Sequence, residues 1–470
     1  MKNKKLNQRL SKLGNKNPNY QEGNIKNEKA FSYLVGYWVG DGSKTIYTLQ
    51  IAIKNDLKLI KNLLKKIKDA TGTKIISHYN KESCELTFKG LAFITRKIKE
   101  ELMEQKIIKK YPWEFLCGMI DSDGTVGHEL GSQQKNKNGE LKKFDSRLIT
   151  INFGNTNAFY LNLFSKMLQY LNIPYSQKRG GDKAGAKRII CNTLSNVNYD
   201  NYEIYIVTAS ALYISASKFK DLTIHKEKKR RYGRFMEYYK EKHINQTLPI
   251  SECFKSIQGE GLTTGEMQYF IRVFGCNKNC KGCDSAFSHK GKNFKNVKIL
   301  DIINNVKSKK INNVCLTGGE ITIHRNRIQA IIAFFRELDI ECVAFTNGSN
   351  YDKAIFTLCK VMDVDIKSPI TGEKSDESII KLLRKQDEVK TLIKDKKDLQ
   401  YAQKINKKVS KVGCTHILQV YNVFGKNTKE DLKDRLEWVI NKVNNSNFKW
   451  INVKILPQLH TLIWENKRKV

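Results

Sequence analysis

The sequence predicts two folded regions of different class: an α+β region made of two αββαββα repeats, then an α/β region built on a parallel sheet. Three observations predict this. The chain has 470 residues, long for a single domain. A passage of helix-like and strand-like patterns recurs within residues 28–220. Beyond 246, strand-like and helix-like runs alternate, which is the texture of βα units.

The elements follow in order. Residues 1–27 are polar and basic and predict a flexible arm. The first passage gives a helix over 30–40, the strand-like "TIYTLQIAI", a helix over 56–70, the strands "TKIISHY" and "CELTF", and a helix over 91–108. The second opens with "YPWEFLCGMID" and a polar insertion, "GSQQKNKNGELKKFD". It continues with "RLITINF", a helix over 157–171, "NYEIYIVT" and a helix over 209–219. Residues 221–245, with "HKEKKRRYGRFMEYYKEKH", predict a basic linker or helix. From 246 to 470 the strand-like runs are "MQYFIRVFG", "NNVCLTGG", "ECVAFTNG", "MDVDIK", "THILQVYNVFG" and "WINVKILPQ".

Formal net charge is +37. Residues 1–245 carry 45 Lys+Arg against 23 Asp+Glu, and residues 246–470 carry 39 against 24. The excess favours a polyanionic partner, most of all for the first region. A Lys- and Asn-rich composition bias is the plainer alternative. The 11 cysteines are odd in number with one tight cluster, unlike a secreted disulfide framework. The N-terminal stretch has no apolar core of a signal peptide, and no apolar run approaches the ~18 residues of a membrane span. The expectation is a cytoplasmic protein with no membrane partner.

"LVGYWVGDG" (34–42) and "LCGMIDSDG" (116–124) share one grammar. Gly36 and Gly40 are four apart, as are Gly118 and Ser122, so each pair lies on one helix face. Small residues there let two helices approach closely. Each helix then ends in Asp-Gly, so Asp41 and Asp123 would emerge side by side, able to share divalent cations for phosphodiester cleavage. Ordinary helix packing is the alternative for either motif alone. These residues resemble the LAGLIDADG homing endonucleases over about 28–220. The first motif departs from that family at Tyr37, Trp38 and Val39. The resemblance implies a pseudo-dimer that reads double-stranded DNA through a saddle of two sheets, with Asp41 and Asp123 as catalytic, Mg²⁺-binding acids. Lys54 and Lys187 are candidates to line the saddle.

"FGCNKNCKGCD" (274–284) holds Cys276, Cys280 and Cys283 in C-x3-C-x2-C spacing. A zinc site needs a fourth ligand, for which His289 is available. Three thiolates suffice for a 4Fe–4S cluster with one open iron, which can take the amino and carboxylate groups of S-adenosylmethionine (SAM). The spacing resembles the radical SAM enzymes. Gly318 and Gly319 of "CLTGGE" would let the backbone approach SAM, and Glu320 would take its amino group. Asp365 and Lys367 of "DVDIKSP" would face the same cofactor. This chain departs from the family pattern at Ile321, where Pro is usual, and at Phe345, where an acid is usual.

"PISECFKSIQGEG" (249–261), "FIR" (270–272) and the tail "LPQLHTLIWENKRKV" together resemble the 7-carboxy-7-deazaguanine synthase family over about 246–470. That resemblance implies a partial TIM-like barrel and a lyase reaction on 6-carboxy-5,6,7,8-tetrahydropterin. Ile257, Gln258, Gly259, Glu260, Arg272, Thr317 and His460 would contact the pterin, with Arg272 pairing its carboxylate. Gly282, Cys283 and Asp284 would contact SAM, and Ser285 would bind Mg²⁺. The implied partners are an electron donor of flavodoxin or ferredoxin type and a second copy of the chain. A second reading takes the chain as chiefly a mobile-element DNA-cutting protein that carries a host-gene domain.

Overall fold

Asn27 begins the first helix, Glu28–Asp41, by accepting a hydrogen bond from Ala30 N at 3.0 Å. Asp56 does the same for the helix Leu57–Thr71, which Gly72 ends in a left-handed conformation. The structure is a computed structural model that describes residues 24–42, 49–52, 56–72, 76–80, 85–89, 92–127, 149–179, 187–190, 193–196, 202–422, 428–465 and 467. The chain divides into two units, Met1–Tyr238 and Tyr239–Val470.

In the first unit, strands Leu49–Ala52 (β1), Ile76–Asn80 (β2) and Glu85–Lys89 (β3) form an antiparallel sheet in the order β1-β3-β2. Strands Gly124–Gly127 (β4), Thr150–Asn155 (β5), Tyr175–Arg179 (β6) and Tyr202–Ile206 (β9) form a second, in the order β4-β5-β9-β6. Lys187–Ile190 (β7) and Thr193–Asn196 (β8) pair as a separate ribbon. The second passage thus has two more strands than the αββαββα reading allowed. The helix expected over 91–108 is two helices, Ala92–Glu104 and Lys106–Lys110. They part at Gln105, whose φ is 56°, and the Glu101 carboxylate accepts from Ile108 N across the break at 2.9 Å. The polar insertion lies outside the described residues. Helix Pro112–Ser122 packs against Glu28–Asp41, burying Tyr33, Leu34, Phe115, Leu116 and Met119. The basic stretch forms the helix Lys226–His243.

In the second unit nine strands form one sheet. Thr247–Ile257 (β10), Met267–Val273 (β11), Lys295–Lys298 (β12), Asn313–Gly318 (β13), Glu341–Thr346 (β14), Val361–Asp365 (β15), Glu388–Ile393 (β16), Thr415–Val420 (β17) and Val453–Leu456 (β18) run in the order β12-β10-β11-β13-β14-β15-β16-β17-β18. From β11 through β18 every neighbouring pair is parallel. β10 is antiparallel to both of its neighbours. Helices sit between the parallel strands, as right-handed crossovers require. The strands bury Val314, Leu316, Cys342, Ala344, Met362, Val364, Ile417 and Leu418, as expected for a sheet covered on both faces, and β15, β16 and β17 also bury Asp363, Glu388, Lys390 and His416. Among the described residues no helix is long and apolar enough to cross a membrane.

Candidate functional site

Two places gather the residues singled out by the sequence, one in each unit. In the first unit the two motif helices meet backbone to backbone. A Cβ on Gly36 would lie 2.0 Å from Phe115 O, and one on Gly118 would lie 2.1 Å from Tyr33 O. Any side chain at either position would push the helices apart. At their ends, a Cβ on Gly40 would lie 2.2 Å from Ser122 Oγ and 3.0 Å from Asp123 Cβ. Asp41 and Asp123 are therefore neighbours. Burial, then the Asp123 charge, pushes the Asp41 carboxyl up to about 7 against the pull of Lys228. Asp123 Oδ2 accepts from Asn155 Nδ2 at 3.3 Å.

Sequence reasoning missed Lys228 and Asp121. The Lys228 ammonium donates to the carbonyls of Ile120 and Asp121, in the last turn of the second motif helix, and to that of Gly124, which begins β4. Asp121 is buried and accepts from Tyr33 Oη at 2.6 Å, Thr223 Oγ1 at 2.7 Å and Ile224 N at 2.9 Å. Lys228 stands in a run of basic residues, and nothing in that run marks one of them as turned inward. Lys54 lies outside the described residues, as does the Lys187 side chain, although Lys187 itself begins β7.

In the second unit a cavity of about 230 Å³ opens at the C-terminal ends of the parallel strands, where such sheets bind ligands. Cys276, Cys280 and Cys283 line it, together with Gly282, Asp284 and Ser285. So do Ile257, Gln258, Gly259, Glu260, Arg272, Thr317, Gly318, Gly319, Asp365, Lys367 and His460. The cysteine loop is pinned by its backbone. Gly275 N donates to Ser288 O, Glu320 N donates to Gly275 O, and Lys281 N donates to Thr371 O, each within 2.8 Å. Gly318 has φ 124°, and a Cβ there would meet Val273 O at 2.2 Å, so only glycine lets the end of β13 lie this close to β11.

Glu320 does not line the cavity. It is fully buried, and its carboxylate accepts from Thr322 N at 3.0 Å and from Thr322 Oγ1, Thr346 Oγ1 and Asn347 N, each at 2.7 Å. It ties the ends of β13 and β14 together, where the sequence predicted a contact with SAM.

The polar groups of the cavity are strongly coupled. Arg272 Nε donates to Glu252 Oε1 at 3.0 Å, the residue facing it across β10 and β11. Gln258 Oε1 accepts from Glu260 N at 3.1 Å. Gln458 Nε2 donates to Glu260 Oε1 at 2.6 Å and to Asp284 Oδ2 at 3.0 Å, joining the Glu260 turn to the cysteine loop. Burial disfavours charge on Glu260, but Lys390 and then His460 outweigh it and hold the carboxyl down to about 2. Burial likewise opposes the Lys367 ammonium, and Asp365, at 2.8 Å, holds its pKa up. Sequence reasoning missed Lys390, Asp363, Asn422 and Gln458. The one available signal was charge at alternate positions inside the strand patterns "MDVDIK" and "EVKTLI".

Among the described residues every cysteine is free. Burial pushes the Cys280 thiol up to about 11 and raises that of Cys283. Their polar partners are weak: Asn347 Nδ2 lies 3.8 Å from Cys276 Sγ, and Ser285 Oγ lies 3.6 Å from Cys283 Sγ. Asp365 Oδ1, Gln419 Oε1 and Asn422 Oδ1 are buried cavity acceptors without a hydrogen-bond partner. Three thiols needing cationic partners, beside unused acceptors, fit an iron–sulfur cluster and a donor-rich ligand next to it.

A family profile described as a 4Fe-4S single cluster domain matches residues 257–424. The 7-carboxy-7-deazaguanine synthase of Bacillus cereus is 30% identical over 240 residues, covering 47% of this chain and 99% of that protein. The chain belongs to the 7-carboxy-7-deazaguanine synthase family. Two solved structures are also similar in part. One, titled as the crystal structure of QueE from Escherichia coli, shares 18% identity at a TM-score of 0.36 and covers 46% of this chain and 95% of its own. The other, I-DmoI in complex with DNA and Ca, shares 14% identity at a TM-score of 0.29 and covers 43% of this chain and 96% of its own. The 7-carboxy-7-deazaguanine synthase match takes up less than half of the chain while covering nearly all of the Bacillus cereus relative.

Proposed function

We propose that the second unit is a radical SAM lyase that converts 6-carboxy-5,6,7,8-tetrahydropterin to 7-carboxy-7-deazaguanine with loss of ammonia. One observation carries this reading: Cys276, Cys280 and Cys283 line the same cavity as Gln258, Glu260, Arg272, Thr317 and His460. Held by the three thiolates, a 4Fe–4S cluster with SAM would supply the initiating radical. Gly282, Asp284, Gly318, Gly319, Asp365 and Lys367 would hold SAM. Gln258 would donate and Glu260 would accept at the amide-like edge of the pterin, and the remaining guanidinium N–H groups of Arg272 would meet its carboxylate. Ser285 is the Mg²⁺ candidate. His460 and Gln458 close the cavity and keep water from the reacting centre. The parallel sheet serves as a partial barrel, a flavodoxin- or ferredoxin-type donor supplies the electron, and two copies pair through this unit. The test is anaerobic reconstitution with iron and sulfide. Protein with about four irons per chain should form the deazaguanine product, and Cys280→Ala should lose both iron and product. Intact reduced protein that leaves SAM uncleaved rules the reading out.

A second activity has its own observation, the close approach of the two motif helix ends that carry Asp41 and Asp123. We infer that the first unit is a LAGLIDADG-type pseudo-dimer that binds double-stranded DNA and cleaves it with divalent cations held by both acids. Burial and the Asp123 charge, which push the Asp41 carboxyl up to about 7, would be offset by a divalent cation held between the two acids.

A further inference from the structure

Behind Glu260 lies a set of charges that the lyase reading leaves without a role. β15 and β16 run parallel in a register that places Asp363 beside Glu388 and Asp365 beside Lys390. Residues two apart on a strand share a face, so all four face one side of the sheet. Asp363 and Glu388 are at most 1% exposed, and Lys390 is 6% exposed. The Lys390 ammonium lies 2.8 Å from Glu260 Oε2 and 3.7 Å from Asp363 Oδ1, with the Phe345 ring centroid at 4.9 Å. Glu388 Oε2 accepts from Leu262 N at 2.7 Å. Its other oxygen and Asp363 Oδ2 converge on Gly261, where a Cβ would meet them at 2.2 and 3.2 Å. Gly261 has φ 72°, so both the backbone and the space there demand glycine.

We propose that Lys390, backed by Asp363 and Glu388, is the positioning residue that fixes Glu260 as the charged acceptor for the pterin. The inference rests on the lyase reading and gives Glu260 its mechanism. Like charges directly opposite on neighbouring strands are destabilising, and two buried carboxylates side by side cannot both ionise cheaply. Asp363 and Glu388 therefore hold a proton between them. Burial first, then Glu260 and Asp365, push Asp363 up to about 7 against Lys390, and Glu388 is raised as well. Sharing one proton, the pair carries a single negative charge instead of two, which leaves more of the Lys390 charge for Glu260. The other charged or titratable groups around the cluster are Asp365 with Lys367, His460 beside Glu260, and Cys315 with Arg272. Phe345 completes the geometry, because an acid at that position would add a further carboxylate over the Lys390 ammonium.

The proposal fixes a pH dependence. As pH rises through about 7 the pair loses its proton, and the new negative charge both competes for Lys390 and repels the carboxylate of the substrate. Pterin affinity of the wild type should therefore fall through that region, and Asp363→Asn should flatten the fall.

The experiment uses the reconstituted full chain with SAM and 6-carboxy-5,6,7,8-tetrahydropterin, measuring pterin affinity, KM and kcat across pH. Lys390→Met should weaken binding about tenfold or more, the scale of a buried hydrogen bond between charged groups. The loss should lie in KM more than in kcat, and Lys390→Arg should recover part of it. Iron content and SAM affinity report whether the variant is folded. If Lys390→Met loses iron, Asp363→Asn, which keeps the shape, carries the test through the pH profile alone. Wild type that neither binds nor converts the pterin overturns the lyase reading and this inference with it. Wild type that converts the pterin, beside a folded Lys390→Met of unchanged affinity or an Asp363→Asn of unchanged pH profile, overturns the inference alone.

Discussion

His416 is fully buried in β17, with Nε2 3.0 Å from Thr391 Oγ1 and Nδ1 3.3 Å from Asn406 Nδ2. Burial lowers its pKa to about 3, well under the ordinary 6.5. The folded state therefore binds fewer protons than the unfolded one between those values. The stability His416 contributes is complete above about 6.5 and is lost as pH falls toward 3, by a few kcal/mol at the limit. Chemical denaturation at pH 7 and pH 5 should show this loss in the wild type. His416→Gln should show a smaller difference, although less stable at pH 7. Glu320 teaches a related lesson. Its place after Gly318-Gly319 was legible in the sequence, but its orientation was not. Thr322, Thr346 and Asn347 supply four donors to its carboxylate, and two of those residues belong to a strand end separated in sequence. Long-range hydrogen bonding decided the outcome, and local pattern carries no record of it.

The paired motif helices are the element on which the first unit turns. Gly118→Leu should destabilise this unit by about 1–3 kcal/mol or more, since every rotamer begins from a Cβ held 2.1 Å from Tyr33 O. Gly127→Ala is the control, because its Cβ would meet nothing closer than Thr150 Oγ1 at 3.1 Å. Thermal unfolding should separate the two variants; similar melting temperatures would mean that the helices are not in contact as described. This element was the most legible part of the first half, since Gly-x3-Gly, Gly-x3-Ser and Asp-Gly are local signals with fixed helical spacing. The break at Gln105 was not legible. Its left-handed backbone is compensated by Glu101, a residue that fits the middle of an unbroken helix equally well. The β7–β8 ribbon was lost for a similar reason: its segments, "KRII" and "TLSN", are too short to show a period.

For the whole molecule, the two proposed activities should be separable. Asp123→Asn should abolish Mg²⁺-dependent DNA cleavage and keep DNA affinity, because in the proposed reading the acid holds metal and not phosphate. It should leave pterin conversion intact. Cys280→Ala should do the reverse. A single substitution that removes both activities would show that the two chemistries share more than a chain. DNA affinity should also fall steeply with salt, as a protein neutralising many phosphates requires. The order of the sheet was legible only in part. Alternation of strands and helices gives a parallel α/β sheet, and the cysteine spacing gives the cluster. The charges of β15 and β16 escaped, because a lysine inside a strand pattern looks exposed until the neighbouring strand brings carboxylates to it.

Gln458 and Glu260 lie 198 residues apart in sequence, yet one amide joins them and reaches Asp284 as well. A link closing so long a loop forms late, after the local strand–helix pairs have condensed. The expectation is that the cavity matures after the sheet and opens by local unfolding while the sheet stays intact. Amide hydrogen exchange near Leu459, whose N–H donates to Gly259 O, should outpace exchange in β13 to β17. A radical initiator held there would be sheltered from water only once that chamber is shut.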